Sequence, residues 1–145
     1  MIDTLDACLT DCRDRLIRAP RDRKSPLHTP VIVTADVDAR VMVLRAFDSA
    51  AWRLRLHTDT RAPKAGVIAA DPRVAVLFYD KGAKIQIRAR GTGEIVRSGA
   101  EVDTAWAAST RFARRCYLGE GPGAVSDTPT SGLPPEFEGQ EPDDV

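Results

Sequence analysis

Histidine and cysteine are scarce in this chain, with two and three copies respectively, and the scarcity limits the chemistry available. His28 and His57 have no acid or nucleophile at triad-like spacing, so neither is assigned to acid–base catalysis and the catalytic residues stay unassigned. Cys8 and Cys12 share one helical face with no His or Cys partner nearby, which favours core packing over a metal site. Aromatic residues are only 6% of the chain. Between residues 40 and 90 only Phe47, Trp52, Phe78 and Tyr79 are aromatic, and most read as core, which ranks a single-strand nucleic-acid binder low. No GxGxxG or Walker motif occurs, so the common mononucleotide loops are excluded. No apolar run approaches the roughly 20 residues of a membrane span. The opening Met-Ile-Asp-Thr-Leu-Asp lacks the basic and apolar regions of a signal peptide. A cytoplasmic location with reduced thiols is the expectation, without membrane or nucleic-acid partners.

Net charge is zero, yet it is unevenly placed. Residues 40–90 carry eleven Lys/Arg against four Asp, an excess of +7. The final ten residues hold five acids and no base, and read as a solvated acidic tail. A local excess of cations points to an anionic ligand.

The patterning suggests one domain over 1–120, followed by an irregular acidic tail at 121–145. Thr4 to Ile17 reads as an amphipathic helix, with Leu5, Cys8, Leu9, Cys12 and Leu16 on its apolar stripe. Strands are expected at 31–34, 40–47, 52–57, 73–79 and 84–97, placing the β region at 31–97. Trp52, Leu54 and Leu56 alternate with Arg53, Arg55 and His57. Thr60 looks like a helix cap, with Pro63 inside the first turn of a short helix reaching Ala70. Residues 101–116 read as another helix, whose stripe favours Trp106 as a core anchor over a ligand-stacking residue. Five strands with tight turns and helices around them imply a mainly β, α+β fold, an antiparallel barrel with peripheral helices.

Three elements concentrate the chemistry: Arg40-Val-Met-Val-Leu-Arg45, His57-Thr-Asp-Thr-Arg-Ala-Pro-Lys64, and Gln86-Ile-Arg88-Ala-Arg90-Gly91. A phosphate needs guanidinium forks, an ammonium, a hydroxyl and free N–H groups at a helix start. The second element contains all of these in Thr58, Arg61, Lys64 and the turn at Thr60–Pro63. Arg61 and Lys64 alone could equally be a solvated helix face; Arg40 and Arg45, at the two ends of one strand, favour the phosphate reading. Gln86 has both a donor and an acceptor and can pair with an imide-like edge. Arg88 either reaches the same ligand or pairs with a neighbouring Asp.

These residues resemble the pyridoxamine 5′-phosphate oxidase-like flavoproteins with the FMN-binding split barrel. The resemblance lies in Arg40, Val43, Leu44 and Arg45; in His57, Thr58 and Lys64; and in Gln86, with the Thr58–Lys64–Gln86 spacing matching without a gap. It extends over roughly residues 25–120, and Trp106, Arg111 and Tyr117 resemble a bacterial branch of uncertain substrate. The resemblance implies an antiparallel split β-barrel and FMN as cofactor. Arg40, Arg45 and Lys64 would hold its phosphate and ribityl region. Val43, Leu44, His57, Thr58 and Arg61 would line the ring or phosphate. Gln86, with Arg88 near, would approach from the second subunit of a homodimer. Nothing here matches the C-terminal substrate segment of the true oxidases, and relatives usually continue into at least one further barrel strand. An incomplete barrel would leave an exposed edge, which favours dimerisation. The implied function is an FMN-dependent oxidoreductase, chemistry that requires no side-chain nucleophile. The alternatives are a non-catalytic flavin, haem or deazaflavin carrier and, ranked low, a nucleic-acid-binding small barrel.

Overall fold

The computed structural model describes residues 3–137, which divide into two units. One comprises the residues up to His57 with Ala70–Gly93, the other Thr58–Ala69 with the residues from Glu94 onward.

The first unit begins with α1, Leu5–Arg18, whose start is capped by Thr4 Oγ1 accepting from the Ala7 N–H at 3.1 Å. Its far end is tied by the His28 ring, whose Nδ1 lies 2.8 Å from the Ala19 carbonyl. Only this end of the helix enters the core, through Leu16 and Ala19. Leu5 is 89% exposed and Cys8 and Leu9 are exposed too, with Cys12 half-buried. The expected packing of Cys8 in a core is therefore corrected: the periodic stripe marks an amphipathic helix but not the length of it that is covered.

Six strands follow: β1 Val31–Thr34, β2 Ala39–Val41, β3 Leu44–Asp48, β4 Arg53–Leu56, β5 Arg73–Asp80 and β6 Ile85–Thr92. Four form an antiparallel sheet in the order β2-β1-β5-β6, and β3 and β4 form a separate antiparallel pair. The run 40–47, expected as one strand, serves two sheets. Val41 pairs with Val31, the Met42 N–H reaches the Pro30 carbonyl at 3.0 Å, and Leu44 then pairs with Leu56. Met42 and Val43 lie in neither strand. An extended chain can change partners without changing its side-chain alternation, so the sequence pattern runs on through the switch.

The core lies between the two sheets. Ile32, Val76 and Phe78 of the larger sheet meet Leu44, with Phe47, Leu54 and Leu56 of the hairpin packed against them. Phe78 is 1% exposed. No ladder joins β3 or β4 to the larger sheet among the described residues, so the architecture observed is α+β with two antiparallel sheets rather than a closed barrel. β6 ends at Thr92, opposite Arg73, where β5 begins; one more backbone bond follows, from the Gly93 N–H to the Pro72 carbonyl at 2.7 Å, and the expected extension to Arg97 is absent. Trp52 sits in the β3–β4 turn at φ 52°. Its ring meets Phe47 edge-on at 5.6 Å and lies under the Arg13 guanidinium at 5.3 Å.

The second unit contains α2, Pro63–Ala70, up to Ala69, together with α3 Ala100–Ala107, α4 Arg111–Arg115 and a short 3₁₀ turn at Pro135–Phe137. The expected helix over 101–116 is thus two helices. Thr110 adopts an extended conformation, and its hydroxyl accepts from the Ala113 N–H at 3.2 Å, starting α4 afresh. Ser109 Oγ donates back to the Ala105 carbonyl at 2.8 Å, a bond that competes with helix continuation. Trp106 is 49% exposed rather than a core anchor. It packs edge-on against Tyr117 at 5.7 Å, with the Arg114 guanidinium 4.9 Å from its ring centre. The part of the acidic tail beyond Phe137 lies outside the described residues. Among the described residues no helix is long and apolar enough to cross a membrane.

Candidate functional site

Several of the cationic residues are braced by local partners. Arg40 on β2 donates from Nη1 to Thr34 Oγ1 at 2.8 Å and from Nη2 to Asp38. Thr34 is buried, and its hydroxyl also bonds Asp36 at 2.6 Å. Arg40 therefore braces the β1–β2 turn from inside. Arg61 is committed in the same way. Its backbone N–H donates to Asp59 Oδ1 at 2.8 Å, its Nε at 3.0 Å, and its Nη2 to Asp59 Oδ2 at 2.6 Å. The fork continues to the Gly119 carbonyl at 2.9 Å and the Tyr117 carbonyl at 3.2 Å.

A sequence signal marks these braced arginines. Asp38-Ala-Arg40, Asp59-Thr-Arg61 and Asp71-Pro-Arg73 each place an Asp two residues before an Arg, and all three pairs form ion pairs. In the latter two the Asp oxygen also accepts the backbone N–H of its Arg, an Asx turn that the side-chain pair closes. Arg45, Arg55, Lys64, Arg88 and Arg90 lack that preceding Asp.

Within the first unit, Arg45 falls where the β3–β4 register shifts between Leu44 and Ala46. It is the extra residue of a β-bulge, a device that re-aims a side chain, and it is exposed. Leu44 is fully buried in the core, and Val43 is half-buried in the break between strands. His57, just past β4, is half-buried. Burial first, then the positive charges of Arg45 and Arg55, hold its pKa below the usual 6.5. Its Nε2 is buried and makes no hydrogen bond among the described residues. On β6, Gln86 stands opposite Tyr79 and Arg88 opposite Leu77; Gln86, Tyr79 and Arg88 are exposed. β6 is an edge of the larger sheet, so these groups are held on a rigid ladder beside an open edge.

Within the second unit, Asp59 was missed by the sequence reading as a functional element. It is buried, and its pKa is lowered first by the Arg61 side chain, with its backbone N–H and the Lys64 charge also contributing. Together with the Ala62 N–H, which donates to the Asp59 carbonyl at 3.1 Å, it shapes the entry to α2, the role expected of Thr60. Lys64 is half-buried on the first turn of α2, and Thr58 is half-buried with its hydroxyl 3.4 Å from the Asp59 carbonyl. A strap of chain crosses this entry. A Cβ added to Gly121 would come within 3.2 Å of Arg61 Cβ, and one added to Gly123, at φ 87°, within 3.4 Å of Pro63. Among the described residues no group of three His, Cys, Asp or Glu is placed to hold a metal.

An anionic, planar ligand needs fixed cations, a hydrogen-bonding edge partner and polar atoms left without internal partners. Within the first unit, Arg45 carries an exposed cation, His57 a ring nitrogen without a hydrogen bond among the described residues, and Gln86 an exposed amide; within the second, Lys64 carries an ammonium and Thr58 a hydroxyl.

Comparison with known proteins adds a family match. The pyridoxamine 5′-phosphate oxidase family matches residues 29–129. A pyridoxine/pyridoxamine 5′-phosphate oxidase of Caulobacter vibrioides is 30% identical over 97 residues, covering 67% of this chain and 42% of the relative. Its counterpart in Kineococcus radiotolerans is 43% identical over 60 residues, 41% of this chain and 26% of the relative. The chain thus spans less than half the length of these curated relatives. A crystal structure of a pyridoxamine 5′-phosphate oxidase-related, FMN-binding protein from Nostoc punctiforme superposes with a TM-score of 0.58 at 21% identity. That match covers 90% of this chain and 72% of the other, and it is a likeness of fold.

Proposed function

The chain belongs to the pyridoxamine 5′-phosphate oxidase-like family, and from that premise we propose that it is an FMN-binding flavoprotein working as an oxidoreductase. One observation carries the reading: the matched stretch, 29–129, encloses all three cationic elements. The two antiparallel sheets are read as the halves of the family's split barrel.

Bound FMN would supply hydride acceptance or donation at its flavin ring. The protein's part is position and charge. Arg45 and Lys64 are assigned to the phosphate and ribityl region, with the Thr58 hydroxyl as a further donor. Arg40 and Arg61 are assigned a supporting part, holding the β1–β2 turn and the entry to α2. His57 offers an imidazole kept neutral by burial and neighbouring guanidinium charge. The Gln86 amide, with a donor and an acceptor, suits the imide-like edge of the ring. We further propose a homodimer in which Gln86 and Arg88 serve the partner's site; the open edge of β6 supports it.

Purification without added cofactor, a visible absorption spectrum and the mass of any compound released on denaturation test the cofactor. A flavin spectrum with FMN released is expected. A colourless chain that also refuses added FMN overturns the proposal. Anaerobic bleaching of the bound flavin by reduced nicotinamide is expected of an oxidoreductase, and failure across several donors favours a carrier.

A further inference from the structure

Arg55 belongs to none of the residues that the family correspondence singles out, yet it sits beside two that do. On β4 it stands opposite Ala46, next to the bulge that carries Arg45. His57 follows two residues later, just past the end of the strand, at the position that continues Arg55's face of the alternation. The charges of both Arg45 and Arg55 reach the His57 ring. Among the described residues these are the charged groups acting on it, one from each strand of the hairpin.

Two nitrogens of this cluster, Arg55 Nε and His57 Nε2, are buried and without a hydrogen bond among the described residues. Arg13, Arg114 and Arg115 Nε share that condition, but the Arg13 and Arg114 guanidiniums lie against the Trp52 and Trp106 rings and Arg115 donates from Nη2 to the Phe137 carbonyl. Among the described residues no comparable contact accounts for Arg55. The hairpin's acid, Asp48, is at the other end of the ladder, opposite Arg53. Buried polar nitrogens are normally satisfied, and adjacent cations normally have a counter-charge. Both needs are met together by an acceptor-rich anion.

We propose that Arg55 and His57, with Arg45 beside them, form a recognition point for the phosphoryl group of a small ligand. A tetrahedral phosphoryl group brings several acceptor oxygens, enough for an arginine Nε–H, a second guanidinium and an imidazole N–H at once. The inference goes beyond the flavin reading, since the phosphoryl group can belong to FMN, to another phosphate ester or to free phosphate.

The test is a titration of the His57 ring by NMR, with inorganic phosphate, FMN and riboflavin as probes. The chain has two histidines, so H57Q assigns the signal. Inorganic phosphate and FMN are expected to raise the His57 pKa saturably, and riboflavin to leave it unchanged. R55Q is expected to bind phosphate about tenfold more weakly and to lose most of that rise, while R55K retains part of both. A dispersed spectrum of R55Q matching the wild type elsewhere checks its fold. A His57 pKa unmoved by phosphate and FMN, or an R55Q titration identical to the wild type, overturns the proposal. A rise that never saturates and is reproduced by chloride means an adventitious ion only and also overturns it. Self-association that accounts for the change without phosphate assigns the cluster to a contact between copies and overturns it too. A saturable response to phosphate with no uptake of FMN upholds this inference while removing the flavin reading.

Discussion

Asp59→Ala is the sharpest perturbation of the second unit, because a single buried carboxylate there organises three segments. Asp59 is 9% exposed. It accepts the backbone N–H, Nε and Nη2 of Arg61 at 2.6–3.1 Å, and Arg61 in turn holds the carbonyls of Tyr117 and Gly119. Hydrogen bonds to a charged group contribute about 1.5–3 kcal/mol. The Arg61 side chain is 48% exposed, and solvent screening brings the expected loss down to about 1–2 kcal/mol. At a urea slope of about 2 kcal/mol per M, that is a midpoint shift of roughly 0.5–1 M.

The chain's two tryptophans make the assay local: Trp52 is in the first unit, and Trp106, touching Tyr117, is in the second. In a W52F background, D59A should shift the Trp106 emission in the native state as the Tyr117–Gly119 segment loosens, and should lower the midpoint. In a W106F background, native Trp52 emission should be unchanged. The pH dependence has a definite sign. The folded-state pKa of Asp59 is lowered, so its stabilisation is complete above the unfolded carboxylate value of ~3.9 and is lost as pH falls through the folded value. The gap between wild type and D59A should therefore close in acid. Native Trp106 emission and a midpoint both unaltered by D59A would refute the reasoning.

Two further predictions concern the first unit. Phe78→Ala removes the most deeply placed aromatic of the core, 1% exposed, and should cost about 3–5 kcal/mol in chemical denaturation; a loss under 1 kcal/mol would mean the sheets are not packed through it. His57 has a lowered folded-state pKa, so its neutral form stabilises the fold above the unfolded value of ~6.5 and that stability falls as pH drops below it. H57Q should flatten the slope of stability against pH just below 6.5, and an unchanged slope would show that another group titrates there.

Much of the first unit was legible because its signals are local. The Leu54/Leu56 and 85–90 alternations follow directly from period-2 burial, the apolar run at 73–79 marks a strand covered on both faces, and Thr4 marks a helix start through its own chemistry, as Pro63 does in the second unit. What escaped was decided by partners distant in sequence. The switch between sheets at Met42–Val43 keeps the chain extended, so alternation cannot reveal it. The exposure of Leu5, Leu9 and Trp106 depends on what covers a face, and periodicity says only that a face exists. At the site, the positions of the cations were plain, but their availability was not. Arg40 and Arg61 are tied to an Asp two residues before each, a spacing visible in the sequence and overlooked there. Arg55 was placed only on the polar face of its strand, since nothing in the alternation shows that its Nε is buried without a hydrogen bond among the described residues.

The central claim is that this chain holds FMN, and an equilibrium titration of the purified apoprotein with FMN and with riboflavin, followed by flavin fluorescence, tests it most directly. Saturable, stoichiometric binding of FMN with markedly weaker binding of riboflavin is the expected result, because Arg45 and Lys64 are assigned to the phosphate. Equal affinity for the two flavins would contradict that assignment, and no saturable binding of either would contradict the flavoprotein account itself.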